Sequence, residues 1–212
     1  MIRGIILDLD GVICDTAGFH YLAWKRLASD YGYTLTEEDN ESLKGVSRID
    51  SLKFICGKAK TELSEADFQI DLQRKNEWYL KYVKQMDESH LLPGVTKFFR
   101  IAKYKGIPLA LGSASRNAAL VLSKVGLLSA FDAIVDANQV VNGKPHPETF
   151  NKAADMLNMA PHECIVFEDS VSGIQAAKTA EMYSIGVGNP SDLEWADEFV
   201  TSLGEYDFHH FE

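Results

Sequence analysis

Two carboxylates stand one residue apart near the start of the chain, as Asp8 and Asp10, directly after the apolar run 4–7. The run predicts a buried strand, and the alternation of side chains along a strand puts both carboxylates on the same face. Carboxylates this close repel each other unless a cation or a shared proton lies between them. The pair therefore indicates a Mg²⁺ site or acid–base chemistry, and a simple Asp-Gly turn is the alternative.

Polar side chains follow other predicted strands in the same way. Ser113 follows the apolar run 108–112, Glu168 and Asp169 follow 164–167, and Lys144 lies in the loop 143–147. Carboxylates are the ligands that Mg²⁺ prefers, and a hydroxyl with an ammonium group could hold the oxygens of a transferring phosphoryl group. An aspartate can act as the nucleophile in such a transfer. Taken singly, each residue is equally consistent with a surface charge or a turn.

The elements that must position these residues fall into two groups. From about residue 92 onward, short apolar strands alternate with helices, which predicts a doubly wound (Rossmann-like) α/β fold with a parallel sheet. Residues 15–88 contain helical patterns only, with helix-capping signals at Thr36-x-x-Asp39 and Ser64-x-x-Asp67. We predict a core domain over 1–14 and 89–212 and an inserted α-helical cap over 15–88. The insertion follows the first strand, so it should cover the ligand crevice as a lid.

The net charge and the cysteine content limit the kinds of molecule that this protein is expected to bind. The 212 residues carry a net charge of −10, and the isoelectric point is near 5.1. This balance argues against binding to nucleic acid or to an anionic membrane. The three cysteines have no close-spaced pair, which disfavours a disulfide framework or a zinc site and fits a reducing compartment. No signal peptide or membrane span is visible, so we expect a cytoplasmic monomer acting on a small molecule.

Four stretches resemble, in their order, the motifs of the haloacid dehalogenase-like phosphotransferases. They are Asp8-x-Asp10-Gly11-Val12, Ser113-Ala114-Ser115, Lys144-Pro145 and Glu168-Asp169-Ser170. The resemblance implies that Asp8 is the nucleophile and Asp10 the general acid/base, with Ser113 and Lys144 binding the transferring phosphate. It also implies that Asp8, the main-chain carbonyl of Asp10, Glu168 and Asp169 hold Mg²⁺. Most members of the family are phosphatases that use water as the final acceptor.

The cap stretches are similar to those of the sugar-phosphate mutases in this family. The resemblance implies substrate contacts from Thr16, Trp24, Lys44, Gly45, Val46, Ser47, Arg48, Ser51, Lys75, Ala114, Ser115, Arg116 and Asn117. A mutase needs a second phosphate site about one sugar ring from Asp8, and Arg48 with residues 115–117 supplies one. His20 and Lys75 are implied to couple cap closure to the placement of Asp10. Taken alone, His20, Trp24 and Lys75 fit packed or solvated side chains equally well.

The function expected from this resemblance is a Mg²⁺-dependent conversion of β-D-glucose 1-phosphate to glucose 6-phosphate. It implies an aspartyl phosphate and a β-glucose 1,6-bisphosphate intermediate, with glucose 1,6-bisphosphate as the phosphorylating activator. A phosphatase acting on a small phosphomonoester and a non-catalytic sugar-phosphate sensor are the alternatives. The carboxyl end is shorter than the usual last helix of the family, and we expect His209 and His210 to lie on the surface without a ligand role.

Overall fold

The computed structural model describes all residues, 1–212, and contains one six-stranded parallel sheet. The strand order is β3-β2-β1-β4-β5-β6, which is the order of a doubly wound fold. The strands are β1 (Gly4–Leu7), β2 (Leu109–Gly112), β3 (Ala133–Val135), β4 (Cys164–Glu168), β5 (Tyr183–Val187) and β6 (Glu198–Val200). The predicted α/β class is confirmed. The short strand β6 was not predicted.

Helices cover both faces of the sheet because its strands are apolar on both sides. Along β1, Ile5 and Leu7 pack into a large hydrophobic cluster on one face, while Ile6 packs into a smaller cluster on the other. The helices beside the sheet are α5 (Val95–Lys105), α6 (Ala118–Lys124), α7 (Glu148–Met156) and α8 (Val171–Thr179). The Ser170 hydroxyl caps α8 by accepting from the Gly173 N–H at 3.1 Å.

The inserted segment contains four helices with a hydrophobic cluster of their own. They are α1 (Ala17–Asp30), α2 (Glu37–Ser42), α3 (Arg48–Ala59) and α4 (Glu65–Val83). Thr36 and Ser64 cap α2 and α4 as predicted. Trp24, Leu52 and Leu72 meet in the cluster between α1, α3 and α4. The proposed limits of the cap at residues 15 and 88 stay a prediction.

The two chain segments that join the insertion to the sheet lie side by side. The Leu92 N–H donates to the Ile13 carbonyl at 2.9 Å, and the Asp15 N–H donates to the His90 carbonyl at 3.3 Å. Cys14 and Leu91 form an antiparallel bridge between these bonds. The chain therefore leaves and re-enters the sheet domain at one paired hinge.

The last residues form two 3₁₀ turns, at 203–205 and 209–211, and no α-helix. This agrees with the expectation that the segment is shorter than the usual last helix of the family. Tyr206 and Phe208 are buried against Phe98, which places the tail over the core. The three cysteines are free thiols. No helix has the length and apolar character needed to cross a membrane.

Candidate active site

The carboxyl ends of β1 and β4 bring their carboxylates together. Leu7 pairs in register with Phe167, so Asp8 and Glu168 follow on adjacent strands. Gly11 and Gly173 make the close approach possible. A Cβ on Gly11, whose φ is +80°, would overlap the Asp169 carboxylate, and a Cβ on Gly173 would overlap that of Glu168.

This carboxylate cluster has the donor set of a Mg²⁺ site. Oxygens of Asp8, Glu168 and Asp169 lie within 4.8 Å of one another. Burial and the charge of Asp8 raise the pKa of Glu168 well above its usual range and that of Asp169 to about 8. Glu168 Oε2 is buried without a hydrogen-bond partner. Clustered hard oxygens with one unsatisfied atom fit a divalent ion, which would favour the charged carboxylates.

Lys144 brings the only ammonium group that is in direct contact with this cluster. Its Nζ is buried 2.6 Å from Asp8 Oδ1 and 3.5 Å from Glu168 Oε1. Burial acts to lower the pKa of Lys144, but the charges of Asp8 and Glu168 outweigh it and the net shift is upward. Lys144 is therefore a fixed cation beside the oxygen of Asp8. Ser113 lies buried nearby at the end of β2, where its hydroxyl accepts from the Ser115 N–H at 3.1 Å.

Asp10 lies beside the cluster and has a hydrogen bond of its own. The Thr16 hydroxyl donates to Asp10 Oδ1. Burial, followed by the charge of Asp8, raises the pKa of Asp10 to about 7. A carboxyl group with a pKa near neutrality can both accept and return a proton, as a general acid/base must.

The half-buried His20 and the buried Lys75 form a pair on the cap side of the cleft. Lys75 Nζ lies 2.8 Å from His20 Nδ1 and 4.4 Å from the centre of the Trp24 ring. Burial lowers the pKa of both residues well below their usual ranges. An ammonium group at Lys75 can only donate to Nδ1, and a neutral imidazole that accepts there carries its proton on Nε2. That Nε2 is buried and has no partner, which leaves one donor free for a bound molecule.

A further part of the cleft lining is cationic. Arg48 Nη2 donates to Asn76 Oδ1 at 2.8 Å, and Asn117 Nδ2 donates to the same oxygen at 2.9 Å. Burial lowers the pKa of Arg48, and the nearby charge of Arg116 adds to this effect. Two guanidinium groups that repel each other favour an anion between them.

The loop at 44–46 closes the cleft against the sheet domain. The Ser172 hydroxyl donates to the Lys44 carbonyl at 3.2 Å. Gly45 has a φ of +67°, and a Cβ there would overlap the Ser170 hydroxyl. Only glycine fits this left-handed backbone at so close an approach.

The cleft brings most of the predicted residues together. Those that line it are Asp8, Asp10, His20, Trp24, Lys44, Gly45, Val46, Arg48, Ser51, Lys75, Ala114, Ser115, Arg116 and Asp169. Five others lie behind this lining: Thr16, Ser113, Asn117, Lys144 and Glu168 each reach a lining residue or an oxygen of the carboxylate cluster. The Ser47 hydroxyl instead caps α3 and bonds with Asp50. Sequence reasoning missed Asn40 and Leu43, which line the cleft, and the bridging role of Asn76.

The chain is similar to several known proteins. A family model described as haloacid dehalogenase-like hydrolase matches residues 2–181. The chain is 39% identical over 205 residues to the β-phosphoglucomutase of Bacillus subtilis, covering 96% of this chain and 91% of that protein. It is 32% identical over 184 residues to a fructose-1-phosphate phosphatase of Escherichia coli, covering 87% and 95%. A crystal structure of β-phosphoglucomutase from Clostridium difficile matches with a TM-score of 0.94 at 40% identity, covering 99% of this chain and 95% of that one. The chain belongs to the haloacid dehalogenase-like hydrolase family.

Proposed function

We propose that this protein is a Mg²⁺-dependent phosphomutase that interconverts β-D-glucose 1-phosphate and glucose 6-phosphate. One observation carries the proposal: the lining of a single cleft contains both Asp8 and Asp10 of the carboxylate centre and the two guanidinium groups of Arg48 and Arg116. A substrate with a phosphate at each end of a sugar ring fits this arrangement. The similarity to two β-phosphoglucomutases supports the same activity.

The transfer centre is assigned to groups around Asp8. Asp8 is the nucleophile and carries the phosphoryl group as an aspartyl phosphate. Lys144, 2.6 Å from Asp8 Oδ1, holds the phosphoryl oxygens together with Ser113. Mg²⁺ would be held by Asp8, Glu168, Asp169 and the main-chain carbonyl of Asp10, and it would neutralise the developing charge on those oxygens.

Asp10 moves the proton in both halves of the reaction. In the first, the sugar 6-hydroxyl attacks the phosphorus on Asp8, its proton passes to Asp10, and the bond to Asp8 breaks. The resulting β-glucose 1,6-bisphosphate turns over in the cleft. Asp8 then attacks the other phosphorus, and the departing oxygen at carbon 1 takes the proton back from Asp10. A pKa of about 7 for Asp10 suits this two-way transfer.

The remaining phosphate is assigned to Arg48, Ser115, Arg116 and Asn117. The sugar ring then lies beside Trp24, Ser51 and the loop 44–46, where His20 Nε2 offers its free donor. Residues 15–88 act as a cap that closes over the core at 1–14 and 89–212. Closure keeps water from the aspartyl phosphate while the intermediate turns over, which separates a mutase from a phosphatase.

Phosphorus NMR tests the proposal. Purified protein is mixed with β-glucose 1-phosphate, Mg²⁺ and a trace of glucose 1,6-bisphosphate, which phosphorylates Asp8 as activator. Glucose 6-phosphate should accumulate with little inorganic phosphate, and Asp8→Asn should abolish the reaction. Inorganic phosphate as the main product would instead identify a sugar phosphatase. That second function is favoured by the similarity to the fructose-1-phosphate phosphatase, because the two activities share one transfer centre.

A further inference from the structure

A second group of side chains of the types that ligate metals lies outside the cleft, at residues 198, 209 and 210. Glu198 begins the edge strand β6, and His209 and His210 lie in the last 3₁₀ turn. His209 Nε2 is 3.6 Å from Glu198 Oε2, and His210 Nε2 is 3.7 Å from the same oxygen. The ligand atoms of all three residues lie within 4.8 Å of one another.

This spacing is close to that of a tetrahedral metal centre. Ligands about 2.0–2.2 Å from a tetrahedral ion lie about 3.4 Å from each other. The two nitrogen–oxygen separations exceed that value by only a few tenths of an ångström. Two imidazoles and one carboxylate form a donor set that suits Zn²⁺ and neighbouring transition metals rather than Mg²⁺.

The other nitrogen of each imidazole, Nδ1, has a polar contact of its own. His209 Nδ1 contacts the Asp207 carboxylate, and His210 Nδ1 lies 3.1 Å from the Tyr206 hydroxyl. Metal-ligating histidines are oriented by such a contact at the nitrogen that does not bind the ion. Here both Nδ1 atoms are occupied and both Nε2 atoms face Glu198.

We propose that Glu198, His209 and His210 form a transition-metal site, with Zn²⁺ as the probe ion and water in the fourth position. The ion would fasten the chain end to the edge strand of the sheet. An entry path exists, because the side chains of Glu198 and His209 are 30% and 45% exposed. The competing arrangement is an ion pair in which protonated His209 lies between Asp207 and Glu198. That arrangement binds no metal.

Calorimetry on tag-free protein distinguishes the two arrangements. Zn²⁺ is titrated in excess Mg²⁺, so that Mg²⁺ competes at the carboxylate cluster, with wild type compared against His209→Asn/His210→Asn. We expect wild type to bind one more equivalent of Zn²⁺ than the double variant. Glu198→Gln should weaken that step, and His162→Asn, which changes an exposed histidine elsewhere, should leave it unchanged.

Two further measurements report on metal binding at the same three residues. Co²⁺ bound to wild type should give visible absorption of tetrahedral intensity that the double variant lacks. Zn²⁺ should raise the melting temperature of wild type and His162→Asn only. Circular dichroism checks that each variant is folded. Equal Zn²⁺ stoichiometry in wild type and the double variant, with both folded, would overturn the proposal.

Discussion

Replacing Arg48 by alanine should weaken the use of sugar bisphosphate without weakening the phosphorylation of Asp8. Arg48 makes its one side-chain hydrogen bond to Asn76, which keeps its bond from Asn117 when Arg48 is removed. The variant therefore leaves no buried acceptor without a partner. Its main effect is the loss of charge-assisted bonds to the distal phosphate, which together contribute about 2–3 kcal/mol.

This free energy corresponds to a fall of about 30- to 140-fold in kcat/KM for the mutase reaction. Acetyl phosphate is a phosphoryl donor without a second phosphate, so its rate of phosphorylating Asp8 should stay at the wild-type value. Stability should not fall, because the variant relieves the repulsion between Arg48 and Arg116. Arg100→Ala, an exposed arginine on α5, is the matched control. If Arg48→Ala lowers the rates with sugar bisphosphate and with acetyl phosphate by the same factor, the assignment of Arg48 to the distal phosphate is refuted.

Three further outcomes follow from the charges of the site and the cap. Lys144→Ala should abolish phosphorylation of Asp8, and it should lower the melting temperature in EDTA because the buried Asp8 carboxylate loses its cation. Added Mg²⁺ should restore the melting temperature. An unchanged melting temperature in EDTA would contradict the role of Lys144 in balancing that charge. Burial and Asp8 raise the pKa of Asp10 from 3.8 to about 7, so the folded state binds the extra proton and stability falls as pH rises between those values. Asp10→Asn should make the free energy of unfolding, measured in urea without metal, fall less steeply with pH. An identical pH dependence in wild type and variant would exclude the raised pKa of Asp10. The Tyr33 hydroxyl and Lys58 hold the pKa of Asp39 below its usual range, so its contribution is present at neutral pH and is lost on acidification. Asp39→Asn should therefore lower the melting temperature at pH 7, and a difference that does not shrink towards pH 3 would count against this origin.

The meeting of the polar side chains around Asp8 was predictable because they follow strands. Asp8, Ser113 and Glu168 come directly after apolar runs, and a parallel sheet brings the ends of such runs to one edge. The cap helices were predictable in the same local way, from the capping signals at Thr36 and Ser64. The helical periodicity needed no knowledge of the tertiary structure.

Other features depend on side chains that meet only in the folded chain. Asn76 bridges Arg48 and Asn117 because α4 packs beside the loop after β2, and no local pattern indicates that contact. The strand β6 (Glu198–Val200) begins with a charged residue, so no apolar run marks it in the sequence. His209 and His210 were expected to lie on the surface without a ligand role. Their nearness to Glu198 arises from the return of the tail over the sheet edge.

The paired hinge has a consequence for how this architecture can change over evolutionary time. The insertion enters at Ile13–Asp15 and leaves at His90–Leu92, and these segments are hydrogen-bonded to each other. An inserted module of different length can therefore start and finish at the same two points without altering the strand order. Its replacement would change which side chains lie over Asp8 while the residues at the strand ends are kept. New substrate preferences can thus arise by exchange of one contiguous segment rather than by substitutions scattered over the sheet.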